Sequence, residues 1–366
     1  MNILMPTPRF YPEMGGVETH VFQVGRRLAA NGHNITVLTT DRTRQLPTDQ
    51  VMDGIHVHRV PAWPRNSDFY FAPGIYDEIL KRPWDILHIQ SYHTFVAPFA
   101  MLAALRMKRP FVLTFHGGGH SSRLRHSLRI FQRFILRPLL ARANRLVAVA
   151  KFEIGMFSNE LKLPIERFEL IPNGIELPQI KQGVKDFQKE VMITSVGRLE
   201  RYKGHQRAIA ALPYLLRRKP EARLWIAGSG PYEDELRGLA RRLGVENKVE
   251  IRAVAPQERE QFAQQLSKSS LFVLFSEYET HPLAALEAIS LGCPALVSDT
   301  SGLHELAENG LAKAMPLNCS DEQLAEEMIR QLDQPLSPKS IKLPTWDDCA
   351  SGLLTLYQGI IEECAS

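Results

Sequence analysis

The stretch that decides the fold is Leu271–Gly292, L-F-V-L-F-S-E-Y-E-T-H-P-L-A-A-L-E-A-I-S-L-G. Leu271–Phe275 is a short apolar run and reads as a buried strand. A loop follows, carrying Glu279. Pro282 suits the first turn of a helix, and Leu283–Leu291 is apolar and helix-forming. Glu287 then lies one to two turns inside that helix, with Glu279 in the loop ahead of it. A strand end, a loop and a helix N-terminus are where an α/β sheet binds an anion, because the free backbone N–H groups and the helix dipole point there.

The same alternation runs outward in both directions. Before it lie strands at Val191–Val196, Arg223–Ala227 and Val249–Ile251, with helices at His205–Arg218, Tyr232–Leu243 and Glu258–Ser267. After it come a strand at Pro294–Val297 and helices at Leu303–Glu308, Glu322–Leu332 and Asp348–Glu362. The first half repeats the pattern. Asn2–Met5 is a strand, Gly15-Gly16 closes a loop, and Glu18–Asn31 has helical spacing of apolar residues. Strands at 35–39, 55–60, 86–89, 111–114, 146–149 and 168–171 follow, with helices at 74–82, 95–108, 123–143 and 152–160. Alternating strands and helices predict mostly parallel sheets covered on both faces, an α/β unit used twice.

A chain of 366 residues is too long for one ordinary core and fits two domains. We place an N-terminal domain at 1–178, a polar linker at 179–190 and a second domain at 191–345, with a last amphipathic helix in 346–366. With 44% hydrophobic and 23% charged residues, the composition is that of a soluble globular protein. The four cysteines are widely spaced with no Cys-x-x-Cys pair, which points to reduced thiols in the cytoplasm rather than a disulfide frame or a zinc site. No signal peptide is read at the start, and no apolar run is long enough to span a bilayer. The net charge of +4 is uneven: residues 1–178 hold 22 basic and 14 acidic residues, and the remainder 22 and 26. The two halves are therefore expected to do different work.

Several strand ends carry residues suited to chemistry. Gly197-Arg198 and Lys203-Gly204 sit between a strand and a helix, where two cations can converge on one dense anion with the helix dipole behind them. Gly228-Ser229-Gly230-Pro231 permits close backbone approach. Ala253-Val254-Ala255-Pro256 is small enough to make room for a flat base, and equally reads as a tight turn. His116 leaves its strand into three glycines, where something can approach closely. Asn173-Gly174 reads most simply as a turn, and His88 and His93 flank another strand end. No metal-ligand pattern is visible. The dinucleotide fingerprint G-x-G-x-x-G is missing, which disfavours an oxidoreductase.

Taken together, the chain resembles the retaining glycosyltransferases of the GT-B fold, family four (glycosyl transferases group 1). The marks are G-G-V-E at 15–18, H-G-G at 116–118, I-P-N-G-I at 171–175, V-G-R-L-E-R-Y-K-G at 196–204, I-A-G-S-G-P at 226–231 and Glu279-x7-Glu287 followed by Gly292-Cys293-Pro294. Their order and spacing are more specific than any one of them. The resemblance implies two Rossmann-like domains facing a cleft, with the last helix returning to the N-terminal domain. It also implies a nucleotide diphosphate sugar, held mainly by the C-terminal domain as substrate, with no cofactor and no metal. Arg198 and Lys203 would bind the diphosphate, Glu287 the ribose and Glu279 the hydroxyls of the sugar. Val254 would meet the base, and Gly197 and Gly228 would line the donor. Gly16 would pass near the phosphates and His116 near the reacting centre. Asn173 and His93 are the acceptor-side candidates.

One stretch departs from the family. Where Glu-Gly-Phe-Gly-Leu-Pro is usual, this chain has Glu279-Thr280-His281-Pro282-Leu283-Ala284. Pro282 has no N–H to offer. That leaves at most the amides of Thr280, His281, Leu283 and Ala284, and His281 adds a donor. An altered sugar pocket is one reading; neutral drift is the other.

From Ile86 to Phe152 there is no Asp or Glu, and 11 Lys or Arg lie there. The arginines of Arg123–Arg145 alternate with apolar residues, as in a helix resting on an anionic membrane surface or binding an anionic acceptor; an ordinary helix with one packed and one solvated face fits as well. The expected function is transfer of a sugar, with retention, from a nucleotide diphosphate sugar to a lipid-linked or polysaccharide acceptor in bacterial surface-glycan biosynthesis. A UDP-sugar is the favoured donor. The protein is expected in the cytoplasm, peripheral at the inner face of the membrane, with no nucleic-acid partner. An epimerase of the same fold and an inactive nucleotide-sugar-binding protein are the alternatives.

Overall fold

The computed structural model describes residues 1–13, 15–65, 69–117, 123–175, 191–255, 258–336 and 343–365, without the side chains of 123–131 and 365. The expected linker at 179–190 and the glycines Gly118 and Gly119 lie outside the described residues. The chain divides into two compact units, one built from 1–117, 122–174 and 344–366, the other mainly from 175–343.

The first unit is an eight-stranded sheet in the order β3-β4-β2-β1-β5-β6-β7-β8. The strands are β1 (Asn2–Pro6), β2 (Asn34–Asp41), β3 (Asp49–Met52), β4 (Ile55–Pro61), β5 (Ile86–Gln90), β6 (Phe111–Phe115), β7 (Arg145–Ala148) and β8 (Phe168–Leu170). All neighbours pair in parallel except β3, which lies antiparallel to β4. The helices are α1 (Gly16–Ala30), α2 (Gly74–Lys81), α3 (Val96–Met107), α4 (Arg123–Leu140) and α5 (Lys151–Leu161). Every residue of β5 and β6 is buried, as a central parallel strand requires. One face of the sheet packs on α2 to α5 through residues such as Trp84, Phe111 and Phe157. The other packs on α1 through Val21, Val24 and Leu28. The last helix of the chain, numbered α12 (Trp346–Ala365), belongs to this unit and seals that face with Leu353, Tyr357 and Ile360.

The second unit is a six-stranded, all-parallel sheet in the order β11-β10-β9-β12-β13-β14. Its strands are β9 (Met192–Val196), β10 (Arg223–Ala227), β11 (Val249–Arg252), β12 (Leu271–Leu274), β13 (Ala295–Ser298) and β14 (Lys313–Met315). Its helices are α6 (His205–Leu216), α7 (Glu233–Arg242), α8 (Arg259–Ser267), α9 (Leu283–Ser290), α10 (Ser301–Glu308) and α11 (Asp321–Asp333). One apolar layer lies under α6, α7 and α11, the other under α8, α9 and α10.

Among the parallel strands of each sheet the order reverses between β1 and β5 in the first unit and between β9 and β12 in the second. The carboxyl ends of those strand pairs form the crevice where such sheets bind ligands. Two short strands, β3 and β14, escaped the sequence reading. Three of the four residues of β3 are exposed and β14 has three residues, so neither carries a buried apolar run.

Candidate functional site

In the second unit the switch point is built from the loop after β9 and the loop after β12. Gly204, just before α6, has φ +76°, and a Cβ there would lie 1.9 Å from the carbonyl oxygen of Phe275. Only glycine lets the two loops press together this closely. Backbone bonds fix the contact: Glu277 N–H donates to Tyr202 O at 2.7 Å, and Ser276 Oγ to the same oxygen at 3.2 Å. Gly228 does similar work one strand away, where a Cβ would lie 1.9 Å from Gly197 O. These two glycines therefore seat the ends of β9 and β10 against each other.

This packing places Lys203 against Glu279. Their Nζ–Oε1 distance is 2.6 Å, and the side chains keep only 16% and 12% of their exposure. Arg198 was expected to converge with Lys203 on one anion. It lies more in solvent, with Nη1 2.9 Å from Glu200 and Nη2 donating to Tyr202 Oη at 3.1 Å. Each cation thus already has polar partners, and Lys203 is the one held at the switch point.

His205 steadies the loop. Its Nε2–H donates to Arg198 O at 3.3 Å, so Nδ1 is the acceptor for the Ser195 hydroxyl at 2.9 Å. Burial lowers its pKa to about 4, so the ring is neutral near pH 7.

The loop carrying Glu279 is braced from β13 and α10. Glu279 N–H donates to Ser301 Oγ at 2.9 Å, and Gly302 N–H to Glu279 O at 2.9 Å. The Ser298 and Thr300 hydroxyls both donate to Ser276 O, at 2.6 and 3.0 Å. Thr280 and Pro282 are buried, and His281 and Leu283 are half-buried. Leu283 N–H donates to His281 O at 2.9 Å. That amide, one of the four expected to remain for a ligand, is taken by the loop itself.

Glu287 lies one turn into α9, as the sequence implies. Its carboxylate meets the guanidinium of Arg259 on α8 at both oxygens, Nη1 reaching Oε2 at 3.4 Å and Nη2 bonded to Oε1. Burial pushes the Glu287 carboxyl up, and Arg259 works against that shift. Val254, half-buried after β11, packs with the apolar layer containing Ala227 and Phe262.

The switch point of the first unit is different in kind. His20, His88 and His116 are buried side by side, His20 ring-to-ring with His116 at 4.8 Å and with His88 at 6.4 Å. His116 bonds Gln90 Oε1 through Nε2 at 2.8 Å. His20 bonds Asn173 Oδ1 through Nδ1 at 2.7 Å, leaving its buried Nε2 without a hydrogen-bond partner among the described residues. His88 bonds Thr114 Oγ1 at 2.6 Å and, from α12, the Tyr357 hydroxyl at 2.5 Å. Burial lowers all three pKa values, that of His20 to about 4. Asn173 is thus occupied in holding His20. His93 is half-buried with its ring 4.1 Å from that of Tyr92. Gly16 opens α1, exposed, and a Cβ there meets nothing within 4 Å.

The basic stretch is less bare than its sequence suggests. Arg133 pairs with Glu160 at 2.9 Å, and Arg145 with Glu363 at 3.0 Å and Glu169 at 3.8 Å. The acids come from outside the stretch. On α4, Phe134 is 74% and Ile135 55% exposed. Among the described residues no helix is long and apolar enough to cross a membrane, and no group of His, Cys, Asp and Glu is arranged to hold a metal ion.

Sequence reasoning missed His20, Gln90, His205, Tyr357 and Arg259. His20 alone had a visible signal, a polar residue beside apolar Val21 on the packed face of a helix.

Two family models match the chain: Glycosyltransferase Family 4 over residues 14–179, and Glycosyl transferases group 1 over 178–343. A GDP-mannose:cellobiosyl-diphosphopolyprenol alpha-mannosyltransferase of Xanthomonas oryzae is 27% identical over 318 residues, 84% of this chain and 81% of the relative. A glycogen synthase of Mycobacterium tuberculosis is 28% identical over 340 residues, 85% and 81% of the two chains. Among solved structures, Anabaena HepE in complex with UDP superposes with a TM-score of 0.73 at 16% identity, covering 100% of this chain and 98% of that one.

Proposed function

We propose a specific transfer reaction from the premise that the chain belongs to the group 1 glycosyltransferases and has the GT-B fold. It moves a sugar from a nucleoside diphosphate sugar, with a UDP-sugar as donor, to a lipid-linked or polysaccharide acceptor, with retention at the anomeric carbon. The observation that carries this reading is the Lys203–Glu279 pair at the switch point between β9 and β12, a cation and a carboxylate 2.6 Å apart.

In this reading Lys203, with Arg198 beside it on the same loop, meets the diphosphate. Charge grows on its bridging oxygen as the bond to the anomeric carbon breaks. Fixed cations aimed at that oxygen lower the barrier without reorganising. Glu279 accepts hydrogen bonds from the sugar hydroxyls, and Glu287 from the ribose. The acceptor hydroxyl attacks the anomeric carbon from the face the diphosphate leaves, and its proton passes to a phosphate oxygen of the leaving group. No protein base is needed. His116, neutral and tied to Gln90, is the candidate to lie near the sugar. UDP is supported by its presence in HepE, while the Xanthomonas relative is named for GDP-mannose.

Screening a panel of nucleotide sugars by mass spectrometry, with and without acceptor, tests the proposal. Release of nucleoside diphosphate and a glycosylated acceptor is expected. Sugar epimerisation alone, or binding without turnover, would favour the two other readings. Replacing His281 by Phe asks whether the Thr280-His281-Pro282 loop sets donor choice; an unchanged preference removes that role. Membrane contact through α4 rests on exposed Phe134 and Ile135 beside Arg137, and failure to sediment with anionic vesicles at low salt would count against it.

A further inference from the structure

Glu287 occupies an awkward place for a hydroxyl-holding carboxylate. It is one turn inside α9, over an apolar layer of Phe262, Leu286, Ile289 and Cys293. Burial alone favours its protonated form. A protonated carboxyl spends one oxygen as a donor, whereas a carboxylate accepts at both. Two ribose hydroxyls that both donate need the ionised form.

The charges around Glu287 are few. β12 and β13, which pack against α9, carry no titratable residue. The turn after α9 contributes only the buried thiol Cys293. α8 contributes Arg259. Its guanidinium meets the two carboxylate oxygens with two different nitrogens, the fork geometry that fixes a carboxylate in orientation as well as in charge. Each oxygen keeps a further lone-pair direction for a ligand. Arg259 itself is anchored: its guanidinium lies over the Phe262 ring, 5.4 Å from the centroid. At the first position of α8 and with a side chain 43% exposed, it has little role in the core.

We propose that Arg259 is a positioning residue for donor binding, acting through Glu287: it keeps that carboxylate ionised and aimed for the nucleotide's ribose. This rests on the reading of Glu287 as the ribose holder. Removing the cation leaves burial unopposed, so the Glu287 carboxyl is protonated over a wider pH range. Nucleotide affinity is then lost towards acid pH and recovered as pH rises.

The test is calorimetric titration of the full chain with UDP and, separately, GDP, between pH 6 and 8.5. The proteins are wild type, Arg259→Gln, Arg259→Lys and Glu287→Ala. Arg259→Gln is expected to weaken the nucleotide about tenfold at the acid end and to regain affinity with rising pH, as a paired buried charge predicts. Arg259→Lys keeps the charge without the fork, so it removes the pH dependence and restores only part of the affinity, and Glu287→Ala is weak at every pH. Equal or tighter binding by Arg259→Gln, or a pH-independent loss that Lys does not rescue, overturns the role of Arg259 while Glu287→Ala stays weak. Wild-type affinity in Glu287→Ala, or no binding of either nucleotide by wild type, overturns the ribose reading beneath it. Circular dichroism confirms that each variant is folded.

Discussion

The two switch points use the same topology and opposite chemistry. In the first unit α1, β5 and the end of β6 gather three buried, neutral imidazoles, tied to an amide, an asparagine and two hydroxyls. The second gathers carboxylates already matched to cations, Lys203 with Glu279 and Arg259 with Glu287. A fixed cation can meet a departing diphosphate with a full opposite charge, whereas a neutral imidazole offers at most a hydrogen bond. A buried ion pair, however, is costly to break on one side only, because the partner is stranded. The same fold supplies the crevice twice, and the side chains decide which charge each can accept.

The contrast can be broken most severely at Lys203. If the proposed reaction holds, Lys203→Ala should cut kcat on the order of a thousandfold, measured as nucleoside diphosphate release, because it would remove the fixed cation from the leaving group. A fall of less than tenfold would move the diphosphate elsewhere.

Next in size is Gly204→Ala, where a Cβ meets the Phe275 carbonyl and φ is positive. A loss of about 3 kcal/mol is expected in urea denaturation, confined to the second unit's transition.

The neutral cluster predicts an acid limit. His20 titrates near 6.5 when unfolded and at about 4 in the fold. Stability is fully present above pH 6.5 and is lost as pH falls towards 4, because the unfolded chain takes up a proton that the folded one refuses. His20 alone accounts for on the order of 3 kcal/mol, and His88 and His116 act in the same direction. Glu287 has the opposite sign: its raised carboxyl costs stability as pH rises above 4.5. Denaturant midpoints across pH 4–7 separate the two. The smallest effect is Tyr357→Phe, which leaves buried His88 Nδ1 unpaired and should cost about 1–2 kcal/mol in the first unit's transition.

Much of this architecture is legible in the sequence because a parallel strand buried on both faces must be an unbroken apolar run. Leu271–Phe275 and Ile86–Ile89 are such runs, and both sit in the middle of their sheets. Residues 49–52 and 313–315 are edge strands, where pairing rather than burial makes the structure, so they leave no pattern. The site divides the same way. Glu279, Lys203 and Glu287 stand in local motifs and could be read. Arg259 could not, since it stands in no such motif and only the fold brings it to Glu287. Likewise, the absence of acids from Ile86 to Phe152 suggested a bare basic surface, yet Glu160, Glu169 and Glu363 reach it from other elements. Charge along a chain does not report charge pairing in space.

The most direct test of the division between the two clusters is a calorimetric titration of UDP into Lys203→Ala and His116→Ala. Lys203→Ala should weaken UDP at least tenfold, while His116→Ala, on the neutral side, should bind it as wild type does. If His116→Ala loses UDP and Lys203→Ala keeps it, the nucleotide is not held by the ion-paired switch point, and the account is wrong.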